Sequence, residues 1–184
     1  MSEALRLVPK HGWTRLALEE AAANLNLPRT AHGLFRGEID LVAFFVNKCN
    51  DELGAAAAAQ AIDEHETMRE ALKRTTRARL GLVLPLESTW AQGLGVLALP
   101  YNVPTALHLL HETADEILHV CGDTATDFSW YTKRGLLSTL YATTELYMLT
   151  DMSAGKEDTW RFLDNRLDNY VDSLQKVSQV TKLF

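Results

Sequence analysis

Apolar residues recur every three to four positions along most of the chain, the spacing of helices that bury one stripe and leave the other in water. Ala4, Leu5, Leu7 and Val8 fall on about one face of a short helix, and Gly12 sits where its C-terminal cap would be. Thr14 then precedes a strong helix-forming string from Leu16 to Ala22, with Glu19 and Glu20 near its start, where the helix dipole favours acids. Asn24 to Pro28 closes that helix, because proline cannot continue it and biases Leu27 away from helical angles. Pro28 opens a third short helix to about Phe35, so residues 1–36 have the outline of a helix-turn-helix subdomain.

Residues 37–184 read as a larger helical body. A long helix follows Gly37, with Leu41, Phe44, Phe45, Lys48 and Cys49 spaced by three and four, and runs into the small residues Ala55 to Ala59. After a polar break at Asp63 to Met68, Ala71 to Leu84 forms an amphipathic segment that Pro85 ends. Glu87 to Leu99, Val103 to Val120, Phe128 to Leu149 and Asp158 to about Phe184 complete the set. No period-two strand and no internal repeat appears, so the fold class is all-α.

Composition narrows the function. Of 184 residues, 47% are apolar and 23% charged, enough for a real core and too apolar for disorder. A formal net charge of -6 removes the broad basic surface that gives affinity for phosphate backbones. Residues 1–40 hold five basic and five acidic side chains, so the segment Pro28 to Phe35 lacks the charge of a DNA-reading helix and is expected to be a retained structural subdomain. Cys49 and Cys121 stand alone, without a CxxC or a Cys/His framework, and read as reduced thiols. No apolar run is long enough to span a bilayer, since Gly93 to Leu99 stops at Pro100. The opening Met-Ser-Glu-Ala-Leu-Arg carries neither a signal core nor a presequence.

The chemical motifs are sparse. His108, His111, Glu112, Asp115, Glu116 and His119 lie at helical spacing, yet only Glu116 and His119 form a Glu-x-x-His pair, where a di-iron bundle needs two. A charged helix face is the expectation there, and no metal. Nucleophile elbows, phosphate loops, dinucleotide glycines and zinc motifs are absent, which points away from an enzyme and from a resident cofactor. Trp90, Leu94, Leu97, Tyr101 and Leu118 belong to a set of bulky apolar side chains that would line either a plain core or an apolar ligand pocket; these five are the candidate lipid-binding residues. The last helix carries Leu163, Leu167, Tyr170, Val171, Leu174, Val177, Val180, Leu183 and Phe184 in a stripe that suits a core, a dimer seam or an interfacial membrane face.

Four strings carry a family likeness. Leu99-Pro100-Tyr101-Asn102-Val103-Pro104, Gly122 through Arg134 with its Thr-Asp-Phe-Ser-Trp-Tyr-Thr core, Thr143-Thr144-Glu145-Leu146, and Glu157-Asp158-Thr159-Trp160-Arg161-Phe162-Leu163 resemble the ninth Coq protein family. These are accessory proteins of ubiquinone (coenzyme Q) biosynthesis, and the likeness runs from about Ala4 through Leu167. The resemblance implies a fold like the TetR transcriptional regulators with DNA binding lost. It also implies a bound isoprenoid quinone intermediate or phospholipid in place of a cofactor, and peripheral contact with the matrix side of the mitochondrial inner membrane. The implied protein partner is the di-iron demethoxyubiquinone hydroxylase, contacted through positions matching Leu136, Leu137 and Tyr141 on one helix and Trp160 on the next. Family members carry a further amphipathic C-terminal helix behind a flexible linker; Val171 to Phe184 shows no such linker. The chain would then lift a lipid partly from the bilayer and offer it to the enzyme, as a homodimer. A bacterial cytoplasmic location is the alternative, and a TetR-like ligand-responsive repressor is the competing function.

Overall fold

The computed structural model describes residues 1–59, 65–123 and 128–181, with side chains described as far as Leu174 apart from those of 128 and 129. The side chains of Phe128, Val177 and Val180, part of the break at Asp63 to Met68, and Leu183 and Phe184 of the last apolar stripe lie outside what is described. Eight α-helices account for the fold: α1 (Ser2–His11), α2 (Arg15–Asn24), α3 (Glu38–Ala58), α4 (Met68–Gly81), α5 (Glu87–Leu97), α6 (Val103–Val120), α7 (Phe128–Thr150) and α8 (Glu157–Thr181). Short 3-10 turns join several of them, and no strand occurs among the described residues.

The chain forms two compact units, and their boundary is not at residue 36. The first comprises Met1–Asp51 and Leu82–Leu109; the second comprises Glu52–Gly81 and Leu110–Phe184. The expected division at 36 fails because the short N-terminal helices have too little surface to enclose a core alone. They borrow α5 and the start of α3. Trp13 packs against Phe45 at 5.4 Å and Trp90 at 5.1 Å between ring centres, and Phe45 meets Trp90 at 5.1 Å, all in tilted or edge-on geometry. Around this cluster lie Val8, Ala17, Leu18, Leu41 and Val42, all buried.

Local signals in the first unit are partly met. Gly12 follows α1 with φ of 68°, and a Cβ there would come within 2.2 Å of Gln92 Oε1, the acceptor for the Trp13 backbone N–H at 2.9 Å. Glycine is needed on both counts. Thr14 stands at the N-cap of α2 but its hydroxyl turns back to the His11 carbonyl, and the Arg15 N–H is capped by the Glu38 carboxylate at 3.0 Å. The expected third helix is a 3-10 segment, Arg29–Leu34, with no buried residue. Its two large apolar side chains, Leu34 and Phe35, stay exposed, so no packing supports a wider α-helical turn there.

The second unit is stitched by charge as well as by core. Arg69 donates to Asp168 at 2.7 Å and to Asp172 at 2.6 Å, Lys73 pairs with Asp168 at 2.8 Å, and Arg77 approaches Asp164 at 3.8 Å. As the α4 number rises the α8 number falls, so the two helices run antiparallel. Beneath the ladder Leu72, Leu80, Ile117, Leu118, Leu137, Met148, Leu163 and Leu167 are fully buried.

The two glycines of α5 give opposite expectations. A Cβ on Gly93 would lie 2.8 Å from the Trp90 ring and 3.3 Å from Trp13, whereas one on Gly95 meets nothing within 4 Å. Gly93→Ala therefore lowers stability by about 1–3 kcal/mol through overpacking against rigid rings. Gly95→Ala raises it by roughly 0.5–1 kcal/mol, the ordinary helix preference for alanine. Urea unfolding of the two variants checks the sign reversal.

Candidate functional site

In the first unit, α5 and the turn that follows it frame a pocket of about 370 Å3 with residues around Trp13 and Glu38. Trp13, Ile39, Val96, Leu99 and Tyr101 supply its apolar wall, and Arg36, Glu38, Gln92 and Asn102 its polar edge. Those polar groups are committed to the fold. Arg36 pairs with Asp40, Glu38 caps α2, Gln92 holds Trp13, and Asn102 Nδ2 donates to the Val96 carbonyl at 2.8 Å. The pocket offers a ligand about as much polar as apolar lining.

The five candidate lipid residues do not share one environment. Trp90 is locked in the aromatic cluster, Leu94 and Leu97 are half-buried on α5, and Tyr101 stands exposed at the pocket rim. Leu118 is core of the second unit. Trp90 and Leu118 are therefore packing residues, and their periodic spacing, which core and pocket share, is what made them candidates.

The four partner candidates also divide. Leu137 and Tyr141, four apart on α7, face inward, and the Tyr141 hydroxyl accepts a hydrogen bond from the buried Arg79 at 3.2 Å. A partner cannot reach them without unfolding the unit. Leu136, one position and about 100° round the helix from Leu137, is 46% exposed. Trp160 is half-buried: its Nε1 donates to the Gly155 carbonyl at 2.8 Å and the Arg77 guanidinium lies 5.1 Å from its ring centre. Leu136 and Trp160 remain as surface.

Trp160 owes its place to the turn before α8. The Asp151 carboxylate accepts from the Ser153 N–H at 2.7 Å, the Thr159 N–H at 2.9 Å and the Thr159 hydroxyl at 2.6 Å, closing the turn around the start of the helix. Lys156 Nζ donates to the Met148 and Asp151 carbonyls. The hydrogen bonds from Ser153 and then Thr159 hold the Asp151 carboxyl well below the usual carboxylate range.

A second constellation on α7 escaped the reading of spacing. Arg134 is buried, with its guanidinium 4.0 Å from the Trp130 ring centre and its Nε donating to Asp115. Lys133 Nζ pairs with Asp123 at 2.6 Å, and the exposed Tyr131 ring meets Trp130 edge-on at 4.7 Å. Asp115 thus serves an ion pair rather than a metal, and no three His, Cys, Asp or Glu among the described residues converge as a metal site. Burial also lifts the Cys121 thiol to about 11, so it is protonated at neutral pH. Apolar surface and committed ion pairs bind and position.

Comparison with known proteins bears on both units. The COQ9 family model matches residues 103–173, from the first residue of α6 into α8. The ubiquinone biosynthesis protein COQ9, mitochondrial, of Xenopus tropicalis is 39% identical over 98% of this chain, and its Homo sapiens counterpart 36% over 98%. Residues 103–173 are thus similar to the COQ9 family, and the similarity to its members extends over nearly the whole chain. The chain spans 59% of the length of each of those two relatives. A TetR transcriptional regulator from Nitrosomonas europaea matches the structure with a TM-score of 0.70 at 17% identity, covering 92% of this chain and 94% of that one. The fold around the COQ9-like segment is therefore the TetR fold, all-helical as the apolar spacing required. The COQ9-like segment contains Leu118, Leu136, Leu137, Tyr141, Trp160 and the Arg134 cluster, while the aromatic triad and the pocket of the first unit draw mainly on residues before it.

The turn that seats Trp160 has a testable pH signature. Because the folded pKa of Asp151 is depressed, its contribution is complete above the ordinary carboxylate range and is lost as pH falls through the lower folded value. Asp151→Asn lowers the Tm at neutral pH, and the gap to wild type narrows once the pH drops below about 4. Thermal unfolding of both chains from pH 7 to pH 3 measures it; a gap that is constant across that range rules the carboxylate out.

Proposed function

We propose that this chain is a non-enzymatic accessory protein of ubiquinone biosynthesis. It binds an isoprenoid quinone intermediate or a phospholipid and presents it to the di-iron demethoxyubiquinone hydroxylase. The observation that carries the reading is the 36–39% identity over 98% of the chain to proteins named for that pathway. The mitochondrial names of those relatives support a mitochondrial location; there we place the chain at the matrix side of the inner membrane, as a homodimer.

The geometry supports it in two ways. The pocket of the first unit combines an apolar wall of Trp13, Ile39, Val96, Leu99 and Tyr101 with a polar edge, which suits an amphipathic ligand with a hydrocarbon chain and a polar head group. On the second unit Leu136, Tyr131 and the edge of Trp160 are apolar or amphipathic surface, the residue types that anchor protein interfaces. Transfer of a polyprenyl tail between bilayer and protein gains little net burial, so the work lies in extraction and orientation of the head group. The chemistry belongs to the partner enzyme. The TetR fold also admits a repressor, but residues 1–40 carry no net charge and the segment in the reading position is a 3-10 turn without a buried face.

Native mass spectrometry of gently purified protein, followed by extraction, is expected to release an isoprenoid or phospholipid. In hydroxylase binding, Leu136→Asp and Trp160→Ala are each expected to weaken association by about tenfold or more. Absence of lipid together with absence of hydroxylase binding overturns the reading, and tight, steeply salt-dependent DNA binding would replace it.

A further inference from the structure

The turn from α5 into α6 is built the opposite way from a water-facing loop. Between Ala98 and Pro104 the amide side chain of Asn102 is buried, bonded to the Val96 carbonyl, while its backbone N–H donates to the Leu99 carbonyl at 2.8 Å. Ala98, Leu99, Pro100, Tyr101, Val103 and Pro104 are all exposed. Leu107, one turn beyond Val103 on the same face of α6, continues the surface. Exposure is 38% for Leu99, 77% for Tyr101, 40% for Val103 and 62% for Leu107. Surface turns ordinarily show water their polar side chains and keep large apolar ones inside.

Charge is missing as well. From Ser88 through His111 there is no Asp, Glu, Lys or Arg, in a chain where such residues make up 23%. The segment has no charged group of its own to fix register in a protein–protein contact. It matches the lipid side of a bilayer interface, where a charged group is costly and a tyrosine ring sits well at the headgroup level.

We propose that the α5–α6 turn is a membrane-contact surface, inserting Leu99, Val103 and Leu107 into the acyl boundary of a lipid bilayer with Tyr101 at the headgroups. The inference deepens the lipid-handling reading and rests on it, since the turn brings the chain to the phase that holds its ligand. No single helix among the described residues is long and apolar enough to cross a membrane. Arg36, which lines the pocket beside Leu99 and Tyr101, is neutralised by Asp40 at 2.7 Å, and the chain is net acidic. Insertion is therefore driven by apolar burial, and lipid charge adds little.

Flotation of the whole chain with vesicles of phosphatidylcholine alone tests this. Wild type is expected to float equally at low and high salt. Tyr101→Ser combined with Leu107→Ser is expected to cut the bound fraction by about tenfold or more. Met152→Ser, at a fully exposed position of the other unit, is expected to change nothing. A second readout is a thiol-reactive, polarity-sensitive dye placed by Tyr101→Cys; Cys49 is buried and the Cys121 thiol is held protonated, so the dye reports from the turn and shifts to the blue on vesicles. Wild type that does not float, or a double variant that floats as well as wild type, overturns the proposal. So does a double variant whose only change is a lower sedimenting mass, which marks a seam between copies. Lipid still recovered from the folded chain in any of these cases leaves the lipid-handling reading standing, whereas loss of both overturns the two together.

Discussion

The contact among Trp13, Phe45 and Trp90 is the one on which the first unit depends. Three short elements before residue 36 bury too little surface to hold together alone, and the rings join them to α3 and α5. Gly93 lets the backbone of α5 come against two of those rings, and Gln92 beside it accepts the Trp13 N–H. The direction in which α5 leaves the cluster in turn sets where its C-terminal turn displays Leu99 and Tyr101. An apolar surface is tolerable there because the helix carrying it is fixed from behind by aromatic packing.

The second unit is organised differently. Its core is aliphatic, and polar groups do the positioning: Asp151 closes the turn into α8, Arg134 holds the Trp130 ring, and Arg79 reaches the Tyr141 hydroxyl within the core. A buried or half-buried cation that serves an aromatic ring or a carboxylate is committed to structure. Asp115 of α6 is held in this way by Arg134.

Helix existence was legible because helical periodicity is local, and the ends near Gly12 and Pro28 followed from single-residue chemistry, whereas α4 stops at Gly81, short of Pro85, which sits inside a 3-10 turn. The features that were not legible are long-range. Thr14 looks like the cap of α2 in sequence, but Glu38 does the capping from another element. The segment after Pro28 has helix-like punctuation, yet with no face to bury it tightens into a 3-10 turn. At the candidate sites, the family resemblance singled out Leu136 and Leu137, adjacent residues that cannot both face inward; which one turns out depended on the packing of α7. Tyr101 was read correctly as a large apolar residue in an apolar run, but its exposure, like the burial of Asn102 beside it, is a property of the turn and not of the residue.

The ladder between α4 and α8 is a ruler with repeated marks. Arg69, Lys73 and Arg77 recur every four residues, and so do Asp164, Asp168 and Asp172. Sliding one helix by a full turn, about 5.4 Å, would bring most cations opposite an aspartate again, so the charges select the antiparallel direction without selecting the register. Leu163 and Leu167 share the same repeat. The symmetry is broken by Tyr170, three residues on, whose buried hydroxyl donates to the Lys133 carbonyl of α7 at 3.2 Å. One phenol thus acts as a pawl in a ratchet, and with the Asp151 turn and the stacked rings of Tyr147 and Phe162 it refers the axial position of α8 to α7.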